Sequence, residues 1–178
     1  MSEAAELKLD LYRKAEALAD VAKILGFLPA HVSYAIYKLP TASRYTEFSV
    51  PKKSGGVRII RAPHKTLKII QKRLAQDLSA IEAHLEATRV KKRDCVLAHG
   101  FKKTFSIVTN GENHRRRRYV LNIDLKDFFP SINFGRVYGF FLKNESFELK
   151  PKVAAVLAQI ACHEKRASTG QPLLASHL

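Results

Sequence analysis

Apolar residues recur at helical spacing near the start of the chain. Over residues 3–25 they return at intervals of three, four or seven positions, and Gly26 follows as a natural stop. This pattern predicts one amphipathic helix over residues 3–25. A shorter helix is predicted after Pro29, ending at the Leu39-Pro40 step, because the residue before a proline disfavours helical backbone.

The pattern then changes to one that is typical of strands. Residues 45–50 alternate between the two faces, and residues 57–60 form a second short run that is rich in β-branched side chains. The polar segment 52–56 between them contains two glycines. Two such runs joined by a short glycine-bearing loop predict a β-hairpin, which Pro63 ends.

The rest of the chain alternates between helical, irregular and strand-like segments. Apolar side chains mark one face of a long helix predicted over residues 67–85. Residues 89–118 are irregular and hold ten Lys and Arg against two acidic residues. The apolar run 119–125 ends on an acid and is predicted as a buried strand, and helices are predicted over about 134–144 and 151–163. This order of elements predicts an α+β fold.

The charge of the chain changes this picture by pointing to a partner. The 178 residues are about one domain in length and carry a formal net charge of +15, with a pI of about 10.0. A charge of this size favours a polyanionic partner, nucleic acid first and an anionic membrane surface second. A basic domain with no such partner is the remaining alternative.

The sequence offers little support for zinc, disulfide or membrane chemistry. Cys95 and Cys162 lie far apart and neither belongs to a CxxC pair, so a reducing cytoplasm is expected. Glu82, His84 and Glu86 share the predicted long helix, but their spacing is poor for a metal site, and they are predicted to be surface residues. We expect neither a secretion signal nor a membrane-spanning helix, since no run of about 18 apolar residues occurs.

Asp124 is the strongest candidate for a catalytic group. It stands at the end of the predicted buried strand, where a following turn would hold its carboxylate in place. Mg²⁺ is often bound through only one or two carboxylates together with substrate phosphates, so one rigid aspartate can be a metal ligand. The alternative is that Asp124 caps the next turn or pairs with one of the nearby arginines.

Several motifs resemble those of one enzyme family. The string YVLNIDLKDFFPSI at residues 119–132 resembles motif A of reverse transcriptases, especially the bacterial retron and group II intron types. The string FSVPKKSGGVRIIRAPHKTLKIIQKRL at residues 48–74 is similar to the fingers motif of that family. AHGF, SIVTN and NGENH, within residues 98–114, look like retron motifs, with Gly where the last usually has Ala. The resemblance runs from about Tyr45 to Ile160.

The resemblance implies part of a right-hand polymerase fold. We expect fingers, an incomplete antiparallel palm sheet with flanking helices, and no thumb. The implied segments are a helical N-terminal segment (1–44), fingers with a retron-like basic loop (45–118), a partial palm (119–166) and an altered tail (167–178).

The resemblance also assigns roles at the motif A segment. Asp124 would be the first catalytic metal ligand, helped by the backbone carbonyl of Leu125, with Mg²⁺ as the ion and Mn²⁺ as the alternative. Asp127, Phe128 and Phe129 would bind the incoming nucleotide, with Phe129 as the steric gate that excludes a ribose 2′-OH. The alternative for Phe128 and Phe129 is that they are core residues.

Basic residues would bind phosphates and nucleic acid. Arg58 with Lys52 or Lys53 would hold the nucleotide phosphates, the alternative being an ordinary solvated turn. Three residues of the long helix would contact the template or else form its wet face: Lys68, Gln71 and Arg73. Four consecutive arginines would neutralise phosphates of RNA or an RNA–DNA duplex, or else form a solvated loop: Arg115, Arg116, Arg117 and Arg118.

The implied function is that of a retron-like RNA-directed DNA polymerase. Its partners would be a structured non-coding RNA, an RNA–DNA duplex and deoxynucleoside triphosphates, with a retron effector protein as a further candidate and a link to antiphage defence. No membrane partner is expected. The alternative function is a non-catalytic RNA-binding protein.

After residue 166 the sequence departs from the family pattern. The family would show a segment of the type Leu-Pro-Gln-Gly-Ser-Pro, where residues 167–178 are ASTGQPLLASHL. Codons exist for these residues such that a frame shifted by one nucleotide encodes the family segment, so we expect a frameshift near residue 166. The chain has no Tyr-x-Asp-Asp motif, which supplies the second pair of acids in the family. We therefore expect the chain alone to be inactive and marginally stable, unless a separate C-terminal piece complements it.

Overall fold

The computed structural model of the chain describes residues 2–53, 55–88, 99–100, 102, 105–126, 128–163 and 166–167. Asp127 and the tail beyond Ala167 lie outside the described residues, as does most of the basic segment before His99. The implied boundaries after residues 44, 118 and 166 stay predictions.

The predicted N-terminal helix is two helices, so the prediction of one continuous helix is wrong. Helix α1 spans Ser2–Lys14 and α2 spans Leu18–Leu25. The break arises because the Asp20 carboxylate accepts hydrogen bonds from the backbone N–H groups of Glu16 and Ala17, at 2.9 and 3.1 Å, and so starts a new helix. Gly26 ends α2 with φ of 78°, a left-handed conformation that favours glycine.

The next helix also differs from a plain α-helix. Helix α3 spans Pro29–Ser33 and continues as a π-helical turn over Tyr34–Lys38, which stops before Pro40 as predicted. The Arg44 guanidinium closes this turn by donating to the carbonyl of Leu39 at 3.0 Å and to that of Ile36 at 2.5 Å. Arg44 itself ends the short helix α4, Thr41–Arg44.

The predicted β-hairpin is confirmed. Strand β1, Tyr45–Pro51, pairs antiparallel with β2, Val57–Pro63, in the register that sets Tyr45 opposite Pro63 and Pro51 opposite Val57. Gly55 and Gly56 both have positive φ, as the tight connection requires.

The helices predicted over residues 67–85, 134–144 and 151–163 are confirmed to within three residues at each end. The sequence pattern did not predict the other four elements, one of which lies in the segment 89–118 that was predicted to be irregular. The remaining elements follow in chain order. They are α5 (Lys65–Thr88), α6 (Ile107–Glu112), α7 (Phe128–Ser131), α8 (Phe134–Lys143), α9 (Pro151–Ala161), and the two-residue strands β3 (Cys162–His163) and β4 (Arg166–Ala167), which pair with each other. Helices combined with antiparallel strand pairs agree with the predicted α+β class. No helix among the described residues is long and apolar enough to cross a bilayer.

The core lies where α1, α2, α5, α8 and α9 meet. Its largest fully buried side chains include Tyr12, Phe141, Phe147 and Leu157. Burial of such side chains contributes about 1.5–3 kcal/mol each to stability. The core therefore rests on helix packing, and the β1–β2 hairpin projects from it with most of its side chains exposed.

The predicted buried strand over Tyr119–Leu125 is wrong. This segment has no regular secondary structure, and Tyr119, Leu121 and Ile123 are 80%, 82% and 80% exposed. A strand forms only when its backbone N–H and C=O groups bond to a neighbouring strand, and none of the described residues provides one here. Without a partner strand, residues 119–125 remain an exposed apolar segment.

A buried ionic group joins α1 to α5. The Asp77 carboxylate on α5 is 1% exposed and forms an ion pair with Lys8, while the Tyr12 hydroxyl donates to it at 3.2 Å. Arg73 lies 4.0 Å from the same carboxylate. Burial of the phenol, followed by the nearby negative charge of Asp77, raises the pKa of Tyr12.

This raised pKa predicts a loss of stability in alkali. The folded state holds the Tyr12 proton more tightly than the unfolded chain does. The contribution of protonated Tyr12 to the free energy of unfolding is therefore complete below roughly pH 10, the ordinary tyrosine pKa, and falls as pH rises above that value. Tyr12→Phe removes this titration and costs about 1 kcal/mol at pH 7 through the lost hydrogen bond. Urea unfolding from pH 7 to 11 measures both effects. Equal alkaline slopes for the wild-type and variant chains would contradict the assignment.

Candidate functional site

The hairpin turn presents three of the predicted phosphate-binding cations together. Lys52, Lys53 and Arg58 are all exposed, and the turn is closed by hydrogen bonds between Lys52 and the two glycines. Within the part of the chain that the structure describes, none of the three cations pairs with a carboxylate. Their charge is therefore available to a phosphate.

Arg58 lies on one particular face of the hairpin. It stands opposite Val50, and Phe48 opposite Ile60, so these four residues share a face because alternate residues of a strand point the same way. Glu47 and Arg61 stand opposite each other on the other face, where they form an ion pair. The hairpin therefore carries its unpaired arginine beside apolar side chains, away from its own acid.

The three candidate template contacts of α5 do not form one surface. Lys68 and Arg73 are exposed, although Arg73 lies near the buried Asp77. Gln71 is fully buried, so neither the predicted template contact nor the wet-face alternative fits it. Its Nε2 donates to the Tyr45 hydroxyl at 2.9 Å and to the Ile160 carbonyl at 2.8 Å, which satisfies both N–H groups of the buried amide, whereas its Oε1 has no hydrogen-bond partner among the described residues.

The arginine run is exposed throughout. Arg115, Arg116, Arg117 and Arg118 follow α6, and Arg116 has a positive φ of 60°. The Arg118 guanidinium lies 5.4 Å from the centre of the Tyr119 ring, within range of a cation–π contact. No carboxylate of the described residues neutralises these four charges. The segment is an exposed cluster of uncompensated positive charge.

Asp124 and Leu125 lie in the exposed segment that follows this run. No group of three or more His, Cys, Asp or Glu residues that could hold a metal ion occurs among the described residues, so Asp124 belongs to no such cluster there. A single carboxylate suits Mg²⁺ only when substrate phosphates complete the coordination. Asp127, the predicted neighbour of the triphosphate, lies outside the described residues.

Phe128 and Phe129 are half-buried and pack against the core. Their ring centroids are 5.4 Å apart in an edge-to-face arrangement. This packing restricts the movement of both rings. Such restriction is required whether the rings are core residues or one of them is a rigid steric gate.

The structure also reveals contacts that the sequence pattern missed. Glu82 is 9% exposed, so the prediction that it is a surface residue is wrong. The Lys102 ammonium lies 2.9 Å from Glu82 and 2.8 Å from Glu86, since the spacing of four residues brings both acids to one face of α5. Burial alone would lower the pKa of Lys102, but the hydrogen bonds to the two carboxylates outweigh it and raise that pKa.

A second group of missed contacts surrounds His99. Its Nδ1 lies 2.9 Å from the Thr109 hydroxyl and its Nε2 lies 2.9 Å from Asn113 Nδ2. The Phe105 ring meets the imidazole edge-on at 5.0 Å. The AHGF and NGENH strings contain His99 and Asn113, but nothing in their spacing indicates that the two side chains meet.

Comparison with known proteins shows the family to which the chain belongs. No protein-family model matches the chain. The chain is 38% identical over 149 residues to the retron Mx65 reverse transcriptase of Myxococcus xanthus, and 34% identical over 131 residues to the retron Mx162 reverse transcriptase of the same organism. It is 30% identical over 131 residues to the retron Ec86 reverse transcriptase of Escherichia coli. These alignments cover 83%, 72% and 72% of the chain.

The chain belongs to the retron reverse transcriptase family. This membership confirms the resemblance that the motifs indicate. The retron-family chain nevertheless spans only 32%, 24% and 37% of the lengths of these three relatives. Because the alignment to the Mx65 enzyme covers 83% of the chain, it includes the hairpin and Asp124 wherever it begins.

The exposure of residues 119–125 can be tested directly by substitution. Leu121→Ser and Ile123→Ser should each change the free energy of unfolding by less than about 0.5 kcal/mol, because both side chains already face solvent. The buried control Ile160→Ala should cost about 2–5 kcal/mol. Denaturant unfolding measures the changes, and light scattering should show less self-association of the serine variants. A cost above about 2 kcal/mol for either serine variant would show that the segment is buried in the folded chain.

Proposed function

We propose that this chain provides the nucleotide-binding hairpin and the first metal ligand of a retron-type RNA-directed DNA polymerase. The observation that carries the proposal is the 38% identity to a retron reverse transcriptase over 83% of the chain. The exposed and unpaired cations of the hairpin support it, because a nucleoside triphosphate needs such cations. The reaction would be template-directed transfer of deoxynucleotides.

The proposed metal site consists of the Asp124 carboxylate and the Leu125 carbonyl. Both are hard oxygen donors of the kind that Mg²⁺ or Mn²⁺ prefers, and the exposure of the segment leaves room for triphosphate oxygens as further ligands. When bound, such an ion neutralises charge on the reacting phosphate oxygens. The residues of the chain contribute orientation of the triphosphate, with Arg58 and Lys52 or Lys53 on its phosphates and Asp127 beside it.

Selection of deoxynucleotides would come from the aromatic pair after Asp127. The Phe129 ring, fixed edge-to-face against Phe128, would block the space of a ribose 2′-OH. A ring held by packing excludes a hydroxyl by overlap, whereas a mobile side chain would yield to it.

The nucleic-acid partner in this proposal is a structured non-coding RNA, which would serve as template and primer, together with the growing RNA–DNA duplex. Arg115 to Arg118, with Lys68 and Arg73 on α5, would contact its phosphates. A cytoplasmic location, an effector protein and a part in antiphage defence belong to the same proposal through the family resemblance.

We also propose that the 178 residues do not polymerise alone. Two-metal transfer of a nucleotide needs ligands on both the attacking and the leaving oxygen, and one aspartate cannot position two ions. The sequence has no Tyr-x-Asp-Asp motif to supply the others. A complementing polypeptide that carries these acids would restore the reaction.

The second candidate function is RNA binding without catalysis. The uncompensated arginine run favours it, since such a surface binds polyanions whether or not Asp124 holds a metal.

A fused enzyme tests the catalytic role of Asp124. Residues 1–163 joined to the part of the Mx65 enzyme that follows the position corresponding to His163 should extend a DNA primer on an RNA template with Mg²⁺. Asp124→Asn should lower the rate by at least about a hundredfold, since even residues that only support a metal's ligands are worth roughly 10–100-fold. Asp10→Asn, which changes a carboxylate of α1, should leave the rate unchanged.

The outcomes separate the parts of this proposal. An Asp124→Asn fusion as active as the unchanged fusion would refute the metal-ligand role. A fusion that is folded by circular dichroism but inactive would refute the polymerase role. Primer extension by the unfused 178-residue chain would show that the proposed inactivity is wrong.

Binding of RNA should depend steeply on salt. Each phosphate neutralised by Lys or Arg adds about 0.7–0.9 to the slope of log K against log salt, depending on the strandedness of the nucleic acid. Replacing Arg115, Arg116, Arg117 and Arg118 together by Gln should therefore lower that slope by roughly 3. Fluorescence anisotropy with a labelled stem-loop RNA at several salt concentrations measures it. An unchanged slope would show that the arginine run is only a solvated loop.

A further inference from the structure

The arginine run begins at the end of a helix that hydrophobic packing does not hold in place. Helix α6 has only six residues, and its two large apolar side chains, Ile107 and Val108, are 89% and 67% exposed. An isolated helix of this length is unstable in water. Ser106 caps its first turn, but a cap fixes the local conformation and not the position of the helix.

Hydrogen bonds to His99, rather than hydrophobic packing, hold helix α6 in position. Thr109 lies within α6 and Asn113 is its C-terminal cap residue, and both side chains are hydrogen-bonded to the same imidazole. The contacts therefore grip both the middle and the end of the helix. Arg115 follows two residues after Asn113.

One neutral tautomer of the His99 imidazole fits its two hydrogen-bond partners. The Thr109 hydroxyl donates its only proton to the Ser106 carbonyl at 2.9 Å, so towards His99 it can only accept. Nδ1 of His99 must therefore donate to it, which leaves Nε2 as the acceptor for the Asn113 amide. The neutral Nδ1–H form of His99 satisfies both partners at once.

The segment that carries His99 is itself anchored to the long helix. Three residues later, Lys102 is 10% exposed and is held between Glu82 and Glu86 of α5. The Glu82 side chain is about as buried as that of Lys102, so this ion pair is much less accessible to solvent than one on the open surface. Lys102 therefore ties the chain to α5 three residues after His99, and His99 in turn is hydrogen-bonded to α6.

We propose that His99 is a positioning residue for the arginine run. Through Thr109 and Asn113 it holds α6, and with it the start of the arginine run, in one orientation relative to α5, so that the four guanidinium groups meet the phosphates of one RNA segment together. Without this clamp the same charges are present, but fewer of them meet the phosphates of one RNA segment at once, which weakens binding and lowers its salt dependence. The inference rests on the proposed contact between the arginine run and RNA.

The test compares variants of the full chain in binding a fluorescein-labelled stem-loop RNA. His99→Ala should weaken binding about fivefold, the factor that corresponds to the net free-energy contribution of one hydrogen bond, about 1 kcal/mol. It should also lower the slope of log K against log salt, although no charged residue has changed. His31→Ala, which changes a histidine exposed on α3, is the matched control and should bind as the wild-type chain does. Circular dichroism at the assay temperature checks that each variant is folded.

A double-mutant cycle shows whether His99 acts through the helix. Asn113→Ala should weaken binding in the wild-type chain but add little to His99→Ala, because the two residues share one interaction. Additive effects of the two substitutions would overturn the proposal. If His99→Ala does not fold, Asn113→Ala alone decides, since Asn113 is exposed: unchanged affinity and salt slope would overturn the clamp.

The quadruple arginine variant keeps this test apart from that of the proposed function. If it binds RNA as well as the wild-type chain, the proposed RNA contact is wrong, and the clamp with it. If it binds weakly while His99→Ala binds normally, the RNA contact stands and the positioning role of His99 is wrong.

Discussion

The side-chain amide of Gln71 joins three parts of the chain that are far apart in sequence. From the fully buried face of α5 it donates one hydrogen bond to the Tyr45 hydroxyl at the start of the hairpin and one to the Ile160 carbonyl in the last turn of α9. Loss of either acceptor would leave a buried donor unsatisfied, which costs about 1–3 kcal/mol. The hairpin has little apolar burial of its own, so its position relative to the helical core depends on this amide and on the buried Tyr45 ring.

A few polar contacts likewise fix the backbone that carries the exposed basic residues. Charged side chains gain little from packing and remain mobile unless something fixes the backbone that carries them. The hairpin cations depend on the Gln71 contact, and the arginine run depends on Lys102 and His99. Each anchor is a buried or half-buried hydrogen-bonding group, and each cationic segment beyond it is exposed. Such anchored cationic segments would suit the RNA partner of the proposed function.

The sequence predicts the local elements well where the signal is local. The glycines of the hairpin turn, the stop at Gly26 and the apolar face of α5 each act through their own neighbours, and each was predictable. The break before α2 was not predicted, because the Asp20 cap outweighs a continuous apolar period. The segment Tyr119–Leu125 was predicted as a strand on its pattern, but a strand requires a partner, and the pattern of one segment says nothing about whether a partner is present.

The site was predictable only as a set of residue types. The cations of the hairpin and the arginine run are where charge and motif indicated them, and they are exposed. The burial of Gln71 and Glu82, and the meeting of His99 with Asn113, arise from contacts across the fold that no spacing in the sequence encodes. These are also the contacts that position the cations.

In the proposed function, Asp124 and the hairpin together hold a metal-bound nucleotide. Equilibrium dialysis of labelled dATP with the 178-residue chain in Mn²⁺, compared with EDTA, measures this without requiring polymerisation. We expect metal-dependent retention of dATP that is lost in Asp124→Asn and in Arg58→Gln but kept in Asp10→Asn. Retention that is equal in Asp124→Asn and the wild-type chain would contradict it.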